Sequence, residues 1–236
     1  MRTVANEAPA APAERGARRP HGGRPTRAEA SRRQRHLLEV AGAMFMRDGF
    51  DGTSIDAVAE AAGTSKRTLY ARYADKGELF GAVLRDLIER CLVPITRFQS
   101  SNVALEPTLV EIGRHLLASV LAPEAVSLHR IIIAESERQP AFGRLAHAEG
   151  RKPAVKAIAA LLRRHRDELR VADFELAAQQ FLSLVVDNSL CLATLGIRDD
   201  RRGIDARVRA AVDLFLGGAA RSAHRSGLRT CSRPRG

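Results

Sequence analysis

Residues 53–76, TSIDAVAEAAGTSKRTLYARYADK, predict two short helices joined by a glycine turn, and this pair constrains the fold more than any other feature. Thr53 is the N-cap candidate for the first helix, because its hydroxyl can accept a hydrogen bond from an unpaired backbone N–H. The apolar residues of that helix fall on one face, and Gly63 supplies the turn. Ser65 is the N-cap candidate for the second helix, which is therefore expected to pack on the first.

The second helix of the pair carries an exposed basic edge. Leu69 and Tyr73 lie four positions apart and form its apolar side, which leaves the other side chains facing outward. Those outward side chains are Lys66, Arg67, Thr68, Tyr70 and Arg72. Cations, hydroxyls and an aromatic ring in this arrangement suit phosphate oxygens and the base edges of a major groove. The pattern indicates a helix-turn-helix that binds DNA.

Matching positions on both sides of the pair extend the pattern from about residue 35 to residue 87. The preceding helix contributes Leu37, Leu38, Ala41, Met44, Phe45 and a closing Gly49. The pair contributes Thr53, Ile55, Val58, Ala59, Gly63, Ser65, Thr68, Leu69, Tyr70 and Tyr73. The following helix begins with Lys76, Leu79 and Phe80. With these residues at these spacings, the segment resembles the DNA-binding domain of the TetR family of transcriptional regulators.

This resemblance implies a dimeric repressor that a small-molecule effector releases from a DNA operator. The DNA-binding residues expected from the family match and the exposed edge are Thr53, Ser65, Lys66, Arg67, Thr68, Tyr70, Arg72, Tyr73 and Lys76. Lys66 and Thr68 are assigned to bases or adjacent phosphates, and Tyr70 to a phosphate or a thymine methyl group. Thr53 and Lys76 are assigned to phosphates. The operator sequence itself does not follow from the resemblance.

The formal charge of +11 is concentrated at the two ends of the chain. Residues 1–36 hold nine arginines and three glutamates, residues 217–236 hold five arginines and no acid, and the 180 residues between them are neutral. A basic arm beside a helix-turn-helix can neutralise phosphates or follow a minor groove, where Arg24 is the candidate contact. The alternative is that both ends are solubilising segments of an arginine-rich chain. This alternative is favoured for the carboxyl end and stays open for the amino end.

Helical periodicity runs through the rest of the chain, and strand-like alternation never persists. The sequence predicts an all-α protein with a three-helix helix-turn-helix DNA-binding domain followed by a larger helical ligand-binding and dimerisation domain. Besides the pair, helices are predicted over residues 27–48, 75–92, 107–121, 123–138, 140–165, 173–195 and 204–217, with a break at Gly150 and Pro153. The predicted segments are a basic disordered arm (1–26), the DNA-binding domain (27–92), the effector-binding and dimerisation domain (93–220) and a basic disordered tail (221–236).

The larger helical domain is where the resemblance places the dimer interface and the effector pocket. Its last two helices would form a four-helix bundle with the partner subunit. The interface candidates are Phe181, Leu184, Val185, Leu192, Val208, Val212, Phe215 and Leu216, and the alternative for each is the core of one subunit. The pocket candidates are Phe98, His115, His129, Phe142, Phe181, Asn188 and Cys191. An ordinary core or surface position is the favoured alternative for each of these.

Enzyme and metal-binding classes fit the sequence poorly. The seven histidines show no ligand spacing, and no GxSxG motif or phosphate loop occurs. The three cysteines are far apart and match no metal or redox spacing. We therefore expect no enzyme activity, no metal and no cofactor.

A cytoplasmic location is expected, because no apolar run reaches the roughly 20 residues that cross a bilayer and the amino end lacks a hydrophobic signal core. The competing function is a helical scaffold or nucleoid-type protein that binds DNA without sequence preference through its basic tails. Removal of the amino-terminal arm distinguishes the two, because tail-only binding would vanish and helix-turn-helix binding would persist.

Overall fold

The computed structural model describes residues 26–97, 104–197 and 203–219, and within these ranges it contains helices and no β-strand. The helices are α1 (Arg27–Gly52), α2 (Ile55–Ala61), α3 (Lys66–Tyr70), α4 (Lys76–Arg97), α5 (Leu105–Val120), α6 (Pro123–Ala134), α7 (Pro140–Leu145), α8 (Lys152–Arg164), α9 (Phe174–Leu182), α10 (Asn188–Thr194) and α11 (Ile204–Ala219). The predicted all-α fold is confirmed. The predictions for Arg24, Phe98 and the two basic ends lie outside the described residues.

Helices α1 to α4 form an amino-terminal module around a cluster of phenylalanine rings. Phe45 and Phe80 are fully buried and meet edge to face, with ring centroids 5.1 Å apart. Phe50 lies 5.7 Å from Phe80, and Phe142 of α7 lies 4.6 Å from Phe80. Aromatic pairs in such arrangements add about 0.5–1.5 kcal/mol beyond the area that they bury. The cluster fixes α4 against α1 and attaches α7 to the module.

The chain turns sharply at Gly49 within α1, where φ is 75° and ψ is −179°. Glycine adopts this conformation without strain because it has no Cβ atom. The predicted helix end at Gly49 is corrected by this geometry, since one more helical turn follows and ends at Gly52. That turn carries Phe50 into the aromatic cluster and leads directly into α2.

Helix α4 is longer than the sequence predicted, because Pro94 does not end it. The prediction ended the helix at Leu92, but it continues to Arg97. A proline removes one backbone donor and disfavours a helix interior, yet the helix continues through Pro94 to Arg97. The connection between the predicted helices 75–92 and 107–121 is correspondingly shorter, because α5 begins at Leu105. One helix therefore runs from the amino-terminal module into the larger half.

Two π-helical turns interrupt the helices of the larger half. The first, Ala146–Arg151, joins α7 to α8, and the second, Ser183–Asp187, joins α9 to α10. The predicted break near Gly150 takes the form of the first π turn. Such turns contain an extra residue within a helix and occur frequently at functional sites.

The core of the larger half is built from α5, α8, α9 and α11. Its fully buried side chains include Leu109, Leu117, Ile158, Leu162 and Phe181. Helices α5 and α11 approach closely at Gly113, where a Cβ atom would meet Cγ1 of Val208 at 2.7 Å. A small residue is therefore required at this crossing.

Within the described ranges, the helical run Phe174–Thr194 is long and apolar enough to cross a bilayer, and the bent pair α5–α6 passes the same test when taken as one span. Polar residues interrupt this run, so it contains no long stretch of consecutive apolar residues and is not evident from the sequence. Its average hydropathy is nevertheless high. A third of its apolar window is buried inside the protein, where Phe181 and Val185 belong to the core. Core helices of soluble proteins share this property, so the run is weak evidence for a membrane span.

Candidate nucleic-acid interface and adjoining cavity

Serine caps and a left-handed glycine shape the turn between α2 and α3. The hydroxyl of Ser54 accepts a hydrogen bond from the N–H of Ala57 at 3.0 Å. The hydroxyl of Ser65 accepts from the N–H of Thr68 at 3.1 Å, which confirms Ser65 as the predicted cap of α3. Gly63 has a φ of 61°, a conformation that side-chain-bearing residues rarely adopt.

Thr53 is a buried structural residue, and both predictions for its side chain are corrected. The cap of α2 is the next residue, Ser54. Thr53 is 2% exposed, and its hydroxyl donates to the carbonyl oxygen of Gly49 at 2.8 Å. A side chain buried and hydrogen-bonded in this way does not reach a phosphate. Thr53 instead ties the turn in α1 to the start of α2.

Helix α3 has one exposed face and one buried face. Leu69 is buried against the module, whereas Tyr70 is half exposed. Lys66, Arg67 and Thr68 are also exposed. The outward arrangement expected from the sequence is therefore present, and it forms a continuous edge of cations, a hydroxyl and an aromatic ring.

Lys66 pairs with Asp56 of α2 on this exposed edge. Its Nζ atom lies 2.7 Å from Oδ2 of Asp56, and both side chains are largely open to solvent. The hydrogen bond to Asp56 raises the pKa of Lys66, so the side chain remains a cation at neutral pH. Exposed pairs of this kind contribute little to stability. A DNA phosphate or base could therefore replace Asp56 as the partner of Lys66 at small cost.

Gln34 of α1 supports the carboxyl end of α3. Its side-chain N–H donates to the hydroxyl of Tyr73 at 2.7 Å, and its carbonyl oxygen accepts from the guanidinium of Arg72. The ring of Tyr73 is 7% exposed and belongs to the core of the module. Tyr73 and Gln34 therefore support this end of α3, where Gln34 holds the exposed Arg72, and the DNA contact of Tyr73 stays a prediction.

Lys76 opens α4 and contacts the end of α1. Its Nζ atom donates to the carbonyl oxygen of Asp51 at 3.2 Å and lies 4.6 Å from the centroid of the Phe50 ring. Asp75 caps the helix, since its Oδ1 atom accepts from the N–H of Glu78 at 2.8 Å. An anion beside Lys76 would also meet the positive end of the α4 dipole.

An ion-pair network joins this corner of the module to the end of α6. Arg138 donates to Oδ2 of Asp51 at 2.7 Å and to Oε1 of Glu135 at 2.9 Å. The hydrogen bond from Arg138 lowers the pKa of Asp51. Glu135 is 6% exposed, and its second oxygen has no hydrogen-bond partner among the described residues. A displacement of α6 would therefore change the contacts of Asp51 at the junction of α1 and α2.

A cavity of about 350 Å³ lies where the amino-terminal module meets the larger half. Its walls come from α4, α5, α6, α8, the first π turn and the run from α9 to α10. Four wall residues, Leu84, Leu87, Leu128 and Ile132, also belong to the core of the amino-terminal module. A molecule in this cavity would therefore press directly on the packing of that module.

Among the described residues predicted for an effector pocket, His129 lines this cavity and the others do not. Phe142 is buried in the aromatic cluster of the amino-terminal module, because it packs on Phe50 and Phe80. Phe181 is buried in the core of the larger half, 5.4 Å from the ring of Phe215. Both are corrected to core positions, which was the favoured alternative.

The remaining pocket candidates are placed beside the cavity or on the surface. His115 lies behind the wall, with its Nε2 atom 2.9 Å from the carbonyl oxygen of Cys91. Asn188 and Cys191 are exposed, because the second π turn rotates α10 so that they face outward. These three residues do not line this cavity, and their assignment to an effector pocket stays a prediction.

The sequence analysis missed three polar groups that line the cavity: Cys91, His147 and Arg151. Arg151 donates to both carboxylate oxygens of Asp187, at 2.9 and 3.2 Å. The available signal was the predicted break at Gly150, because an irregular turn there brings its neighbours to the cavity. No cluster of three or more metal-binding side chains occurs in the described ranges.

Exposed leucines follow the outer side of α9, the second π turn and α11. Leu176, Leu184 and Leu214 are each between about two-fifths and two-thirds exposed, and they line one groove. Five interface candidates are instead buried in the core of this subunit, as their alternative stated: Phe181, Val185, Val208, Val212 and Phe215. This leucine groove is one apolar surface of the described residues that is open to solvent.

Two family models match the chain. The model described as "Bacterial regulatory proteins, tetR family" matches residues 37–83, and the model described as "AefR-like transcriptional repressor, C-terminal domain" matches residues 107–218. The first contains the helix-turn-helix and the second contains most of the larger half. Proteins of this kind are regulators rather than enzymes.

Individual relatives agree with these matches. The HTH-type transcriptional regulator AcrR of Shigella flexneri is 35% identical over 60 residues, which are 25% of this chain and 28% of that protein, so the match spans less than a third of the relative's length. A TetR-family regulator of Mesorhizobium loti is 27% identical in sequence and superimposes with a TM-score of 0.73 over 83% of this chain and 100% of its own. The flavonoid-responsive regulator FrrA is 30% identical, with a TM-score of 0.65 over 81% of this chain and 99% of its own.

Proposed function

Because the chain belongs to the TetR family of bacterial transcriptional regulators, we propose that it is a sequence-specific DNA-binding repressor that works as a homodimer in the cytoplasm. A small molecule in the cavity between the two modules releases it from its operator. The observation that carries the proposal is the exposed edge of α3, which Ser65, Leu69 and Gln34 hold in place.

The edge of α3 enters the major groove and contacts bases and phosphates. Lys66, Thr68 and Tyr70 are placed to read bases or bind the adjacent phosphates, with Arg67 and Arg72 at either side. Ser65 contributes mainly through its cap, which keeps the first N–H groups of α3 aligned. Lys76 binds the phosphate backbone at the start of α4.

Two subunits associate through α9 to α11, with Leu176, Leu184 and Leu214 as the apolar centre of the interface. Paired half-sites on a duplex lie about 34–36 Å apart per helical turn, so a twofold dimer places two α3 helices in successive major grooves. Exposed leucines beside each other are unfavourable in water, which supports a covered surface here.

Helices α4 and α6 couple the cavity to DNA binding. Both helices line the cavity. Helix α4 begins at Lys76, which contacts Asp51, and Arg138, which also contacts Asp51, lies just beyond the end of α6. A ligand that favours one arrangement of these helices shifts the distance between the paired α3 helices, and it weakens DNA binding by its differential affinity, about 1–3 kcal/mol in typical cases.

Selection of genomic DNA fragments on the purified full-length protein tests this function. The expected result is enrichment of a few fragments that share a pseudo-palindromic site at moderate salt. Substitution of Lys66 or Tyr70 by alanine should reduce the preference for those fragments, because each contact with a base edge contributes about 1–3 kcal/mol. Equal retention of all fragments by the unaltered protein would rule the proposal out.

The basic ends favour a second candidate, a protein that binds DNA without sequence preference. A variant that lacks residues 1–25 keeps α1 intact and separates the two functions. We expect it to keep the same enriched fragments with lower affinity. Complete loss of DNA binding in this variant, with no fragment preference in the full chain, would favour the second candidate.

A further inference from the structure

The groups that line the cavity have a marked chemical bias. Its polar side chains are His129 from α6, His147 and Arg151 from the first π turn, and Cys91 from α4, and the rest of the wall is aliphatic or small. Among the described lining residues there is no carboxylate, phenylalanine, tyrosine or tryptophan. Cationic ligands are usually recognised by carboxylates or aromatic faces. This wall therefore offers a cation nothing to pair with.

His129 and His147 both have unused hydrogen-bonding capacity at the wall, since neither has a hydrogen-bond partner among the described residues. His129 is half-buried whereas His147 is exposed to solvent, so His129 is better placed to bond to a ligand inside the cavity. Arg151, by contrast, is already held by Asp187 and by the hydroxyl of Ser183 at 3.1 Å. Burial lowers the pKa of His129, so its ring is neutral at pH 7 and offers one donor and one acceptor.

We infer that the ligand of this cavity is a carboxylic acid with an aliphatic body, and that its head group bonds to the imidazole of His129. The inference rests on the proposed function, since it names the class of effector for the same cavity. At pH 7 the carboxylate is ionised, and the N–H of the neutral imidazole can donate a charge-assisted hydrogen bond to it. The guanidinium of Arg151, paired with Asp187, lies on the same wall, and the aliphatic walls bury the hydrocarbon chain.

The size of the cavity suits a ligand of this kind. A volume of about 350 Å³ lies at the lower end of small-molecule sites, which are commonly about 300–1,000 Å³. Gly150 leaves space beside Ile88, whose nearest side-chain carbon would lie 3.6 Å from an added Cβ atom. With no aromatic ring to stack on, an aliphatic chain fits the wall better than a planar ring system.

Isothermal titration calorimetry on the full-length protein without DNA tests the inference with three probes of equal chain length: octanoate, 1-octanol and octyltrimethylammonium. We expect octanoate to bind about tenfold or more tightly than 1-octanol, because a hydrogen bond to a charged group adds that much. We expect the cation to bind most weakly. Equal or tighter binding of the cation, or binding of none of the three, would overturn the inference.

A matched pair of variants assigns the head group to its partner. His129→Leu removes the imidazole and keeps an apolar wall, so 1-octanol should still bind while the preference for octanoate disappears. His36→Leu makes the same change on the exposed side of α1 and should leave the preference unaltered. A His129→Leu protein that still binds 1-octanol and still prefers octanoate would refute the role of His129.

The outcome is separable from that of the proposed function. Calorimetry measures ligand binding with no DNA present, whereas fragment selection measures operator binding with no ligand present. Failure of octanoate to bind a protein that enriches specific fragments would refute only the ligand class. Binding of octanoate by a protein that enriches no fragment would refute only the repressor function.

Discussion

The amino-terminal module and the larger helical half are packed in different ways. In the module, Phe45, Phe50, Phe80 and Phe142 meet at ring-centroid distances between 4.6 and 6.0 Å. The described part of the larger half has one ring pair, Phe181 and Phe215, within an aliphatic core that two π turns interrupt. A DNA groove has fixed dimensions, so a rigid module suits it. A half that must accept a ligand and respond to it is better served by a void and by helices that can shift.

The largest expected effect is the loss of a ring from the aromatic cluster. Phe80→Ala removes contacts to three other rings and should lower the free energy of unfolding by about 3–5 kcal/mol. Leu116→Ala, which enlarges the existing cavity, should cost only about 2 kcal/mol because its side chain already borders empty space. Urea unfolding measures both. A larger loss for Leu116→Ala would contradict the proposed difference in rigidity.

The next effect probes the tightest crossing in the larger half. Gly113→Ala places a methyl group against Val208 and should lower the free energy of unfolding by about 1–3 kcal/mol. Gly143→Ala is the matched control in α7, where an added Cβ meets nothing within 4 Å, and it should be neutral or stabilise by up to about 1 kcal/mol. Thermal or urea unfolding distinguishes them. Equal stability of the two variants would show that α5 and α11 separate easily.

A smaller effect concerns the salt dependence of DNA binding, which should change when a charge is removed from the amino-terminal module. Lys76→Ala should weaken DNA binding across all sequences and reduce the slope of log affinity against log salt by about one unit. Lys156→Ala on the exposed side of α8 removes the same charge from the larger half and should leave the slope unchanged. Fluorescence anisotropy at several salt concentrations gives both slopes. An unaltered slope for Lys76→Ala would remove it from the set of phosphate contacts.

The smallest effect is a pH dependence in the cavity wall. Burial lowers the folded-state pKa of His129 below its usual value near 6.5, so the unfolded chain binds its proton more readily than the folded protein. The stability associated with the neutral ring is complete above that value and is lost as the pH falls below it. His147 and the Arg151–Asp187 ion pair face the same space. Urea unfolding at pH 7.5 and 5.5 should therefore show a smaller loss in His129→Gln than in the unaltered protein, and equal losses would contradict this account.

The module was more predictable from sequence than the larger half, for a physical reason. Its function requires exposed side chains at fixed helical spacings, so the caps at Ser65 and Asp75 and the outward edge of α3 follow from residue type. The errors there were local. Thr53 and Ser54 are equally good caps in sequence, and only the turn at Gly49 decides between them.

The cavity was less predictable because it is defined by absent atoms. His129, His115 and Asn188 look alike in sequence, since each is a polar residue in an apolar helix. The direction of Asn188 depends on the second π turn, which shifts the helical phase without a periodic signal. The leucine groove was equally hard to predict. Helical spacing alone does not show that Phe181 points into the core while Leu184 points to solvent.

The π turn Ala146–Arg151 also bears on how such a protein diverges. Each residue of an α-helix rotates the chain by about 100°. Deletion of one residue from this turn would therefore restore a regular helix, and His147 and Arg151 would no longer face the same side of the cavity. A single inserted residue therefore determines the positions of two of the four polar lining groups, His147 and Arg151. A lineage that gains or loses this inserted residue would change the ligand to which it responds in one step. The helix-turn-helix and its operator would stay the same.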